Sequence, residues 1–145
     1  MSALTFAAVP TDSTTAPAVH ITSFGVLHAP APEGNALIVD LRTALRNPHH
    51  DPAMRELTGL DEPVRAHVLS TPGARRIVAE TVSRALAILE YALPMYAAPL
   101  TVHAFCQGGR HRSVAIAEAV AAELRACGIR VQVTHRDVTK PVVQK

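Results

Sequence analysis

The residues best placed to do chemistry are Cys106-Gln107-Gly108-Gly109-Arg110-His111-Arg112-Ser113, between a predicted strand and a predicted helix. Two adjacent glycines let the backbone turn tightly and gather several N–H groups at one point. A helix opening at Ser113 adds free N–H groups and the positive end of its dipole. Arg110, His111 and Arg112 add side-chain donors, so the loop suits a phosphate or another compact anion. The same run fits Cys-x5-Arg-Ser, in which a Cys106 thiolate would be the nucleophile and Arg112 the anion clamp of a cysteine-dependent phosphatase. That chemistry also needs an Asp as general acid, and Asp40, Asp51 and Asp137 are the candidates. The histidine that usually precedes such a cysteine is missing, since Phe105 stands there. A tight turn beside a buried structural cysteine, with Arg112 paired to a nearby acid, is the plainer alternative.

These residues need a scaffold, and the patterning supplies one. Val19 to Gly25 and Ala36 to Leu41 read as short strands, with Leu37-Ile38-Val39 continuous enough to be buried on both faces. Residues 42–60, with Asn47-Pro48 and Asp51-Pro52, read as a long irregular loop of the kind that usually carries function. A helix is predicted over Asp61–Leu69. A longer one is predicted with Thr71 as N-cap and Pro72 at its first position, running to Leu93. Leu100 to Phe105 reads as a strand, Ser113 to Cys127 as a helix closed by Gly128, and Ile129 to Val133 as a strand. The last half is thus a βαβ unit over residues 100–134 with a right-handed crossover. The expected fold is a single layered α/β domain with a mixed, partly parallel sheet flanked by helices. Residues 1–18 read as a disordered leader, 19–138 as the domain, and 139–145 as a flexible tail.

Composition narrows the classes. The 145 residues are 48% hydrophobic and 18% charged, which fits one globular domain. Aromatic residues make up 3% with no Trp, so the core must be Ala, Val, Leu and Ile, and sites that stack bases on exposed rings are disfavoured. The net charge of +2 is uneven: residues 101–145 hold seven basic side chains against three acids. Two cysteines 21 apart form no disulfide framework, which reads as a reducing cytoplasm. No signal peptide and no apolar run of membrane-spanning length is read, so no membrane is expected. No cofactor and no metal is called for.

The stretch Cys106-Gln-Gly-Gly-Arg-His-Arg-Ser-Val114, followed by Ala115-Ile-Ala-Glu118, resembles the C-terminal domain of RapZ-type proteins, the YvcJ-like nucleotide-binding/RNase adapter family. Ser23-Phe-Gly25, Asp40-Leu-Arg42, Asn47-Pro-His49, Asp51-Pro52, Thr58-Gly-Leu-Asp61 and His135-Arg136-Asp137 recur in the same order, so the resemblance covers about residues 20–138. Full-length members carry a P-loop ATPase domain before this one. Gly-x4-Gly-Lys-Ser/Thr is absent here, so the resemblance implies the C-terminal domain alone, without nucleotide hydrolysis. It implies a module that captures a phosphorylated small molecule, glucosamine-6-phosphate in the best-understood members, and acts as a regulatory adapter.

By matching position, the pocket would use Asp40, Arg42, His49, Cys106, Gly108, Gly109, His111, Arg112 and Ser113, and Arg110 of the same loop is a further candidate for the anion. Asp40 and Arg42 would alternatively form a strand-end ion pair, and His49 would face water. His20, His28, His50 and His67 are assigned to surface or packing. The implied partners are RNA or a protein such as a P-loop ATPase, together with further copies of the chain. RNA phosphates would meet Arg110, Arg125, Arg130, Arg136 and Lys140, for which a solvated Arg-bearing face is the alternative.

Overall fold

The computed structural model describes residues 17–92 and 98–143. Most of the expected leader, the helix end expected at Leu93 and the last two residues of the expected tail lie outside them. Strands β1 (Val19–Gly25), β2 (Leu37–Asp40), β3 (Leu100–Cys106) and β4 (Val131–His135) form one sheet in the order β2-β3-β1-β4. The α/β architecture is the expected one, and the partly parallel sheet is parallel in all three pairings. Helices α1 (Glu62–Leu69), α2 (Ala74–Glu90) and α3 (Arg112–Ala126) complete the fold. Helix α3 lies across β1, β3 and β4, and α1 and α2 pack on α3.

The core sits on one face of the sheet because every second strand residue points there. Val19, Ile21, Leu37, Val39, Val102, Ala104 and Cys106 meet Val64, Val78, Val120 and Leu124 from the helices. This is the aliphatic core the composition required. Strand β2 departs from expectation: it is an edge strand with one buried face, and Ile38 is 51% exposed. An apolar triplet is therefore not a doubly covered strand when it closes a sheet edge. On the second face Phe24 stacks on Phe105 at 5.2 Å and meets His103 edge-on at 5.5 Å.

Three element ends also differ. Helix α2 begins at Ala74, after Gly73 in the left-handed region, rather than after Thr71. The Thr71 hydroxyl instead donates to the His67 carbonyl, so it closes α1 rather than opening α2. Asp61 precedes α1, but its carboxylate accepts from the Thr58 N–H. Strand β4 begins two residues late because Ile129 belongs to the cap of α3. Its N–H donates to Leu124 and that of Gly128 to Arg125, the paired bonds of a Schellman ending, with Gly128 at φ 85°.

Candidate functional site

Five residues, 107–111, join the end of β3 to the start of α3 at the carboxyl edge of the sheet, the usual ligand position in open α/β sheets. A cavity opens there, lined by Asn47, His49, His50, Cys106, Gln107, Gly108, Arg110, His111 and Arg112, with Leu27 and Pro141 to Val143 forming an apolar wall. The site therefore draws on the β3–α3 loop, the loop after β2, the turn after β1 and the segment following β4.

Its floor is an interlocked trio. The buried Cys106 thiol donates to Ser113 Oγ at 3.3 Å and accepts from the Gly109 N–H at 3.3 Å. Gly109 sits at φ 73°, a conformation an L side chain rarely takes, so the sequence needs glycine to close this turn. Gly108 has open space where a Cβ would stand, so its backbone is bare toward the cavity. Ser113 lies in the first turn of α3, where opening N–H groups lack intrahelical partners.

Arg112 is 4% exposed, and among the described residues no carboxylate pairs with it. Its NH1 donates to the carbonyls of Leu41 (2.8 Å), Arg42 (3.3 Å) and Ala44 (3.1 Å), holding the chain as it leaves β2. Its Nε is buried and has no hydrogen-bond partner. A buried guanidinium compensated only by carbonyl dipoles is costly unless an anion completes it. Leu45, which follows this clasp, is held at φ 67°, and such left-handed strain concentrates at functional loops.

His111 and Arg110 act as struts. His111 precedes α3, and its Nε2 lies 3.1 Å from the Arg55 carbonyl. Burial pulls its ring below the usual histidine range, outweighing the hydrogen bond to the Arg55 carbonyl that acts the other way. Neutral near pH 7, His111 donates from Nε2 and fixes the 49–57 loop. Arg110 donates to the carbonyls of Leu57, Glu56 and Lys140, and Gly59 N–H returns a bond to the Arg110 carbonyl. His49 lies in a 3-10 turn, Pro48–His50, which opens with Asn47 Oδ1 accepting from the His49 N–H. The His49 carbonyl accepts from Arg55 Nε.

The structure separates Asp40 and Arg42 from this group. Asp40 pairs with Phe105 in register, so its side chain lies on the sheet face opposite Cys106. It holds Arg42 in an exposed ion pair at 2.7 Å, and that hydrogen bond keeps its carboxyl below the usual range. Arg42 also lies over the Phe105 ring, 5.5 Å from its centroid. Only the Arg42 carbonyl joins the site, through Arg112. Asp51 Oδ1 accepts from the Ala53 N–H.

The basic residues of the last third do not form one surface. Arg136 donates to Pro30, Gly25 and Ala29 carbonyls and lies over Phe24 at 4.8 Å, while Lys140 pairs with Asp137 at 2.7 Å. Arg125 donates to the Val131 carbonyl, and Arg125 and Arg130 lie at the opposite end of β4. Among the described residues no group of three His, Cys, Asp or Glu side chains could hold a metal ion, and no helix is long and apolar enough to cross a membrane.

Two polar networks behind the site escaped residue-by-residue reasoning. Asp137 is fully buried, accepting from the Gly25 N–H (2.8 Å), Arg136 and Lys140. Burial pushes its carboxyl up, but these three donors prevail and hold it at about 2. His135 bridges the fully buried Ser23 (2.6 Å) and Glu118 (2.7 Å), tying β1, β4 and α3 together. The motifs Ser23-Phe-Gly25 and His135-Arg136-Asp137 hold these residues, but their partnership crosses more than 110 positions. His50, expected at the surface or in packing, instead lines the cavity, as do Asn47, Leu27, Gln107 and residues 141–143, which carry no spacing signal for it.

A family model described as the RapZ C-terminal domain matches residues 17–139. Similar curated proteins, each called a nucleotide-binding protein, occur in Rubrobacter xylanophilus (45% identical over 128 residues, 83% of this chain and 40% of that protein) and Geobacter sulfurreducens (40% over 126 residues, 84% and 42%). Another, from Sphingopyxis alaskensis, is 40% identical over 84% of this chain and 38% of its own length. The chain spans about two fifths of the length of these relatives.

Proposed function

The chain belongs to the RapZ C-terminal domain family, and on that premise we propose that it is a small-metabolite-binding module that captures a phosphorylated ligand, a phosphosugar or similar anion, at the 106–113 loop. What carries this reading is Arg112: a buried guanidinium that pairs with no carboxylate among the described residues, its Nε unsatisfied, in the same cavity wall as the bare backbone of Gly108 and at the start of α3. An anion in the cavity would neutralise the charge and meet the helix opening. Gly109, Ser113 and Cys106 would set the floor, His49 would face the ligand body, and Arg110 and His111 would hold the loops that shape the wall. Arg42 would contribute through its backbone carbonyl in the Arg112 clasp rather than by its side chain, and Asp40 would hold the Arg42 side chain on the other sheet face. Occupancy would then be passed to an RNA or protein partner, the adapter role the family resemblance implies. The relatives carry their nucleotide-binding name over more than twice this length, and no P-loop run occurs here, so no nucleotide site is transferred.

Titrating inorganic phosphate and glucosamine-6-phosphate while following the Gly108, Gly109 and His111 amide signals tests the reading. Shifts confined to the cavity support it, and none at millimolar ligand would overturn it. Turnover of an aryl phosphate that disappears in Cys106→Ser would instead favour a cysteine-dependent phosphatase. RNA binding would show as an affinity that falls steeply with salt.

A further inference from the structure

The segment after β4 does not leave the domain. Lys140 is held three ways: its Nζ pairs with Asp137 at 2.7 Å, its N–H donates to the Asp137 carbonyl at 3.1 Å, and its carbonyl accepts from Arg110 at 3.0 Å. Beyond this anchor, Pro141, Val142 and Val143 run along the cavity as its apolar wall, facing His49, Gln107, Gly108 and Arg112. Among the described residues backbone hydrogen bonding stops at Lys140, and the two valines are only half-buried. So the wall is firmly pivoted and lightly held, the balance expected of an element that opens locally.

Within this wall the cavity offers about 60 Å³ and stays partly open to solvent. Small-molecule pockets run from about 300 Å³ upward, so the space inside the wall suits a group of a few atoms, and the body of a larger ligand would meet Val142 and Val143. Two valine side chains against a buried guanidinium also offer an anion nothing, whereas their departure would widen the site.

We infer that residues 141–143 are a strap that closes the anion cavity and swings on Lys140 to admit a ligand larger than a bare phosphate. The inference rests on the anion-site reading above. A sugar phosphate binds the open form only, so it shifts the strap outward, while inorganic phosphate fits both forms and shifts nothing. The strap thereby reports which class of anion occupies the site, and its released position is a signal at the protein surface.

The experiment compares the full chain with a variant carrying Pro141→Gly, Val142→Gly and Val143→Gly, which keeps the chain length and adds no terminal charge. Inorganic phosphate should bind both within twofold. Glucosamine-6-phosphate should bind the variant at least fivefold more tightly, and in the unaltered chain it should move the Val142 and Val143 methyl signals, which phosphate leaves in place. A sugar phosphate that binds the variant equally or more weakly, or leaves those methyls unmoved, overturns the strap. Absence of phosphate and sugar phosphate binding in both chains overturns the anion reading itself, and the strap with it.

Discussion

Gly109 and Gly25 are in backbone contact: a Cβ built on Gly109 would stand 2.4 Å from the Gly25 nitrogen, and one on Gly25 would stand 2.2 Å from the Gly108 carbonyl carbon. The end of β1 and the β3–α3 loop thus share a space that neither residue can yield. Gly109→Ala adds left-handed strain to this clash and should destabilise the fold by roughly 2–4 kcal/mol, read from denaturant unfolding. Gly108→Ala meets no atom within 4 Å and should cost less than about 1 kcal/mol while weakening phosphate binding through its exposed position in the wall. Equal stability losses in the two variants would contradict this account of the loop.

Arg112 has two tasks, and two substitutions separate them. Arg112→Ala removes both the clasp on Leu41, Arg42 and Ala44 and the unsatisfied Nε. It should lower stability by about 1–3 kcal/mol and reduce phosphate affinity at least tenfold. Arg112→Lys retains the charge but not the planar fork, so it should recover less than half of the lost affinity. Calorimetric titration of both variants checks this, and full recovery by lysine would reduce Arg112 to a point charge.

Asp137 is the one buried carboxylate among the described residues, and its protonation should mark the acid limit of the fold. Its folded value of about 2 lies below the unfolded 3.8, so its stabilisation is complete above the unfolded value and is lost as pH falls through about 2. The melting temperature should therefore drop between pH 4 and 2. Asp137→Asn should abolish most of that drop and cost about 2–4 kcal/mol at pH 7, because Arg136, Lys140 and the Gly25 N–H lose their shared acceptor.

A second pH effect lies higher and comes from histidines. Burial pulls His103 and His111 below the ordinary histidine value of 6.5, and the nearby Arg110 guanidinium adds to this at His111. The unfolded chain accordingly takes up protons first, so stability falls as pH drops below 6.5. His111→Gln, which keeps a donor toward the Arg55 carbonyl, should flatten part of that slope in thermal melts between pH 7 and 5. An unchanged slope would assign the effect to His103 alone.

Much of the scaffold was legible because its signals are local. Val19–Gly25 is a strand with the expected limits, Gly128 ends α3 in the left-handed region, and the run after Cys106 is a strand-to-helix loop. Misplaced boundaries came from residues with two local uses. Thr71 offers a cap to the helix after it and a closing bond to the helix before it, and only packing selects the second. Ile38 belongs to an apolar triplet whose exposure depends on β2 being an edge. The site was less legible. Asp40 and Cys106 look like neighbours in a pocket, yet their faces follow from the parity of the β2–β3 register.

The sequence alone determined the aliphatic core, the parallel βαβ half and a loop with the residue types an anion needs, since each depends on composition or on contacts a few residues apart. Tertiary structure decided which charges are available. Arg136 and Lys140 are consumed around Asp137, Arg110 is consumed by carbonyls, and Arg112 keeps a buried, unsatisfied nitrogen. No spacing rule could sort these four cations. Their partners sit between 1 and 111 positions away, and what distinguishes them is burial and hydrogen-bond satisfaction, which exist only once the chain is packed.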